Sequence, residues 1–124
     1  MCDIKPVLIE SAAVTATTVF PVVDIENAEK VTFIFTRADH RSGSSAFTVD
    51  GSLDGTTFVA INTLIDNVAN TNSQTLTRVA SSTLSSNTSK IYSLDLENFN
   101  YKDIRVTVTE TTDGNHSYKA LIEF

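Results

Sequence analysis

The chain has 124 residues, a length that fits one domain and suffices for a buried core. Its net charge of −6 excludes a whole-domain electrostatic attraction to nucleic acid and argues against docking on an anionic membrane. One cysteine, Cys2, excludes an intramolecular disulfide, and a charged fraction of 19% leaves Ser, Thr and Asn to supply the polarity, as strands and turns do.

The opening residues Met1-Cys2-Asp3-Ile4-Lys5-Pro6 lack a basic region followed by an apolar run. They read as no signal peptide, so the expectation is a chain made in a reducing cytoplasm. Residues 1–10 are short and mixed apolar and charged, a candidate docking arm with Ile4 and Pro6 as contact residues. Residues 6–10 and 17–25 read as early strands, with Pro21 marking an edge or a bend. Phe20 beside it is a candidate exposed contact.

In residues 31–36, Val31, Phe33 and Phe35 share one face and Thr32, Ile34 and Thr36 the other, as in a central strand covered on both sides. Residues 46–50 and 57–61 flank the sharpest turn, Leu53-Asp54-Gly55-Thr56, a hairpin signal. A single helical turn near 63–67 fits the spacing of Ile61, Leu64, Ile65 and Val68. Residues 74–84 carry Leu76, Val79 and Leu84 at an irregular period that suggests a bulge. Tyr92, Leu94 and Leu96 alternate, as do Ile104, Val106 and Val108 in the clearest strand of the chain. Asp113-Gly114-Asn115 reads as a second hairpin joining the last two strands. Tyr118, Ala120, Ile122 and Phe124 then alternate to the last residue, which predicts a strand tied into a sheet.

No window shows a helical apolar stripe, and no apolar run is long enough to span a bilayer. Seven to nine strands at a spacing of about a dozen residues predict an all-β domain, an antiparallel β-sandwich, jelly-roll-like.

Catalytic devices are scarce. The two histidines, His40 and His116, fall in expected loops and read as solvated residues. With one thiol and no histidine pair at ligand spacing, a zinc site lacks donors. No serine stands in a Gly-x-Ser-x-Gly elbow. An enzyme would require a cleft where His40 or His116 meets a carboxylate and a serine. Asp50 and Asp54 bracket Gly51 and Gly55, yet the alternating ligands and closing Glu of a calcium loop are missing, so Asp54 and Gly55 read as turn builders. The aromatics Phe33, Phe35, Phe47, Phe58, Tyr92 and Tyr118 occupy inward positions. Phe99 and Tyr101 stand near a strand entrance, where they pack a corner or offer an exposed contact. The expectation is a non-enzymatic protein with no cofactor or metal.

Three runs carry a resemblance. Gly51-Ser52-Leu53-Asp54-Gly55-Thr56-Thr57-Phe58 resembles the hairpin of many small β-sandwich proteins of tailed phages. Residues 76–81 with 92–96, and then 101–108, are similar to the second half of such proteins. The resemblance implies a virion structural protein, foremost a capsid decoration (cement) protein that binds and stabilises the assembled head shell. It implies major capsid or other virion proteins as partners; the uncharged Thr- and Ser-rich edges permit a homo-oligomer, and the net charge argues against nucleic acid or membrane. Ile4, Pro6, Phe20 and Phe99 are the candidate partner-binding residues. The alternative is a carbohydrate-binding or host-adhesion module of the same fold, or a tail or neck accessory protein. A glycan-binding face would need Phe20, Phe99 or Tyr101 exposed.

Overall fold

A computed structural model describes residues 6–39, 42–66, 78–96, 100–110 and 114–124. In chain order its strands are β1 (Val7–Glu10), β2 (Thr18–Val19), β3 (Val23–Asp24), β4 (Lys30–Ala38), β5 (Ser45–Ser52), β6 (Val59–Ala60), β7 (Leu64–Asp66), β8 (Arg78–Val79), β9 (Ser82–Leu84), β10 (Thr88–Asp95), β11 (Asp103–Glu110) and β12 (Asn115–Glu123). They form two antiparallel sheets packed as a β-sandwich. The first runs β1-β12-β4-β10-β7-β8, and the second β2-β11-β5-β6, with β3 also on β11 and β9 also on β5.

Burial with period two builds both layers. In β4 the fully buried residues are Val31, Phe33, Phe35 and Arg37, while Thr32, Ile34 and Thr36 are half-buried. In β11, Ile104, Val106 and Val108 face inward, and in β12, Tyr118, Ala120 and Ile122 do. The two layers meet ring to ring. Phe35 of the first sheet stacks on Phe47 of the second with centroids 4.7 Å apart, and Phe33 stacks beside Phe35 at 5.6 Å. Such ring pairs add about 0.5–1.5 kcal/mol each beyond their buried area. Phe124 packs against this core, so the last strand is tied down as its alternation predicts.

Several expectations change. The described residues hold twelve strands, more than the expected seven to nine, because interruptions divide longer segments. Pro21 cannot donate to a ladder and splits the 17–25 segment into β2 and β3, both on β11. Residues 64–66 form a strand against β10, with no helical turn. Of the irregular stretch 74–84, read as suggesting a bulge, residues 74–77 lie outside the described residues, and the rest changes sheet, since β8 pairs in the first sheet and β9 in the second. Asp54-Gly55 does join a hairpin, β5 to β6. The hairpin expected at Asp113-Gly114-Asn115, of which Asp113 lies outside the described residues, is not formed, because β11 and β12 lie in different sheets. A turn signal encodes chain reversal, and the partner is then chosen by which layer needs the strand's apolar face.

Phe58 is half-buried and lies outside the core. The Arg105 guanidinium sits 4.4 Å from its ring centre, and Arg105 in turn pairs with Asp50 at 3.0 Å on the outward face of the second sheet. Of the expected docking arm 1–10, residues 1–5 lie outside the described residues. Val7–Glu10 pairs with β12 along its length, because Ile9 covers the core from that edge.

Candidate functional site

β1 ends the first sheet and β2–β3 end the second. These edges lie on one side of the sandwich and are joined at one end by residues 11–17. Between them opens a groove of about 620 Å³. Its floor is core, namely Phe20, Tyr118 and Ile122, and its walls include Val7, Ile9, Val22 and Val23. Val7 and Val22 are 43% and 49% exposed, so apolar surface continues from the groove onto the rim. Pro21 creates the shape. It ends β2, the Phe20 amide donates to the Val106 carbonyl at 2.9 Å, and the Phe20 ring turns inward edge-on to Tyr118 at 5.1 Å. Burial pushes the Tyr118 phenol above its ordinary pKa.

At one end of the core, four polar residues occupy core-facing positions. Arg37 is paired across the sheet with His116, and Ser45 with Glu110. The Ser45 hydroxyl lies 2.8 Å from His116 Nδ1, and His116 Nε2 lies 3.2 Å from Glu110 Oε1. Arg37 donates to the carbonyls of Gly43 at 2.8 Å, Ser42 at 2.9 Å and Leu84 at 3.2 Å. The expectation of a solvated loop histidine is therefore corrected for His116. It stands in β12 with no exposed surface, because its position continues the inward phase of Tyr118, Ala120 and Ile122.

A serine, a histidine and a carboxylate thus do meet, as an enzyme reading requires. The ring nitrogens are exchanged relative to a hydrolase triad, in which the serine faces Nε2 and the acid Nδ1. Ser45 and His116 are both 0% exposed and the Glu110 side chain 6%, so the three are sealed within the core. The arrangement can order the ends of β4, β5, β11 and β12. His40 lies outside the described residues.

The other pair of interest, Asp50 and Asp54, serves two separate ends. Asp50 holds Arg105. Asp54 Oδ1 accepts from the amides of Thr56 and Thr57, each at 2.8 Å, and from the Ser52 hydroxyl at 3.1 Å. The Thr57 and Thr56 amides and then Ser52 lower its pKa to about 2. Gly55 follows at φ +80°, the left-handed region that the turn requires and glycine tolerates. This is the turn-building role expected of Asp54 and Gly55. Among the described residues, no three metal-ligating side chains converge.

No protein-family model matches the chain, and no curated protein does. Among solved structures, the chain is similar to that of SPBc2 prophage-derived protein YomS. The TM-score is 0.68 at 12% identity, covering 98% of this chain and 97% of that one. A likeness so remote in sequence shows the fold, and transfers no residue. The neighbour is a phage-derived protein, and its fold extends over the whole sandwich, which agrees at the level of architecture with the resemblance read from the sequence.

Of the candidate contact residues, Pro6 is exposed at the start of β1. Ile4 and Phe99 lie outside the described residues. Phe20 is 4% exposed and belongs to the core, which corrects its reading as a protruding contact. Its edge contributes to the groove floor. Tyr101 is half-buried and packs over Gly51, the corner role. The rim residues Val7 and Val22 escaped the sequence reading, although Pro21 pointed to an interrupted edge beside them.

Proposed function

We propose that this protein is a non-enzymatic phage virion protein, most specifically a capsid decoration protein that docks on the assembled head shell and stabilises it. The observation that carries the reading is the open apolar edge. A groove floored by core residues and rimmed by Val7 and Val22 is surface that gains by being covered. Apolar burial contributes about 25 cal/mol per Å², and repetition over a symmetric shell multiplies a modest contact into stable decoration. The fold shared with a prophage-derived protein supports the phage setting. The sealing of Ser45, His116 and Glu110 supports a non-catalytic role. Among the described residues no aromatic side chain is fully exposed, which favours protein docking over a glycan platform.

The test is mass spectrometry and immuno-electron microscopy on purified virions of the encoding phage, with cosedimentation of the purified chain on undecorated shells. Saturable binding at a fixed ratio to the shell protein is expected. Absence from virions and from the shell pellet would refute the assignment.

A further inference from the structure

We infer that the open edge is a receptor for one β-strand of a partner protein, an extended segment with alternating apolar side chains and a lysine- or arginine-bearing end. The inference rests on the docking reading above and specifies the chemistry of what docks.

Main-chain geometry supplies the first argument. Ser11 N donates to Tyr118 O, and hydrogen-bonded pairs alternate along an antiparallel ladder. With the register Val7↔Ile122 and Ile9↔Ala120, the main-chain groups of Val7, Ile9 and Ser11 face β12. Those of Leu8 and Glu10 face away from the sheet, into the open edge. A strand added there recovers a hydrogen-bond ladder, the mode of β-augmentation. The groove runs beside this edge, so every second side chain of the added strand enters it, over Phe20, Tyr118 and Ile122. At about 3.4 Å per residue, β1 offers roughly 14 Å, enough for an occupant of four or five residues.

Charge supplies the second argument. Among the described residues, the charged side chains lining the groove are Glu10, which pairs with Lys119 at 3.5 Å, and Asp24. At the mouth away from the 11–17 connection, Asp24, Glu26 and Glu29 are exposed, and the Glu29 amide donates to the Glu123 carbonyl at 2.7 Å. Two lysines stand nearby, each beside an acid. Lys102 lies 3.5 Å from Asp103, and Lys30 faces Glu123 across the sheet. The edge therefore favours a cationic end on its occupant. A second copy, also at −6, meets repulsion instead.

The experiment uses the full chain and two synthetic peptides, acetyl-Lys-Lys-Val-Thr-Val-Thr-Val-amide and its Glu-Glu counterpart. Amide shifts of the labelled chain follow the titration. The basic peptide is expected to move amides of residues 7–10 and 18–24 and to bind at least about tenfold tighter than the acidic one, with the difference shrinking in salt. Leu8→Pro removes an outward N–H that the β12 ladder does not use, and Val22→Lys adds a cation on the exposed rim. Each should weaken the basic peptide at least about tenfold while the amide spectrum stays folded. Val22→Lys stands alone if Leu8→Pro misfolds.

No shifts up to about 1 mM peptide, equal binding of both peptides, or shifts elsewhere on the chain would overturn the inference. So would a dimer in sedimentation that dissolves in Leu8→Pro, which would identify a second copy as the occupant. Shell cosedimentation separates the two levels. If only the strand inference fails, the wild type and both variants bind shells equally. If the docking reading fails, none of them binds.

Discussion

Replacing Gly51 with alanine tests how the second sheet is closed at its corner. Gly51 sits in β5, paired with Ile104 on one side and Val59 on the other. Its φ is not among the positive ones, so the backbone itself accepts alanine. Space does not. A Cβ there would stand 2.4 Å from Tyr101 Cδ1, 2.6 Å from Tyr101 Cε1 and 3.0 Å from Ile61 Cδ1. Ordinary carbon contacts begin near 3.5 Å, so the ring must retreat by about 1 Å. The strand cannot yield, being bonded on both sides, and the Lys102 amide ties the residue after Tyr101 to the Ser52 carbonyl at 2.8 Å. Overpacking of this kind costs about 2–3 kcal/mol. Removing glycine freedom from the unfolded chain returns about 0.4–1 kcal/mol. The net destabilisation is about 1–2.5 kcal/mol, or about 1 M in the urea midpoint. Burial raises the Tyr101 phenol pKa, so displacing the ring should also bring its titration back toward the ordinary tyrosine value in an absorbance titration. The decisive assay is a double-mutant cycle in urea. In a Tyr101→Ala background the penalty of Gly51→Ala should vanish, leaving a slight gain. An equal penalty in both backgrounds would refute the steric argument.

Three further outcomes follow from the buried and turn contacts. Ser45→Ala deprives the sealed His116 Nδ1 of its partner and should cost about 1–3 kcal/mol in thermal or chemical melts. Arg37→Met withdraws the donors held by the Gly43, Ser42 and Leu84 carbonyls; it should cost about 2–3 kcal/mol and speed amide exchange around residues 42–45. Asp54 has a folded pKa lowered from 3.8 to about 2, so its hold on the turn is complete above about pH 4 and is lost as pH falls through about 2. The Thr56 and Thr57 amide resonances should report that transition, and Asp54→Ala should abolish it.

The chain's alternation determined more than the layers. Ile104, Val106 and Val108 declare the inward face of β11, and the same phase carried forward reaches Glu110. Tyr118 carried back by two reaches His116, Phe47 reaches Ser45, and Phe35 carried forward reaches Arg37. The polar end of the core was therefore written in the period. Residue type misled, because a histidine beside Gly114 and Asn115 suggests a loop when its phase is ignored. Asp54-Gly55 was legible because a tight turn is closed by its own neighbours.

The open edge was only half legible. Pro21 announces an interrupted strand, since a residue without an N–H cannot serve a ladder. That Phe20 then turns inward, and that β1 lines up across the gap from β2 and β3, depends on which strands share a sheet. Sequence-local forces decide whether a residue points up or down within a strand. They do not decide which distant strand lies beside it, because that choice is settled by the joint burial of faces far apart along the chain. The layers followed from the sequence, and the groove from the tertiary assembly.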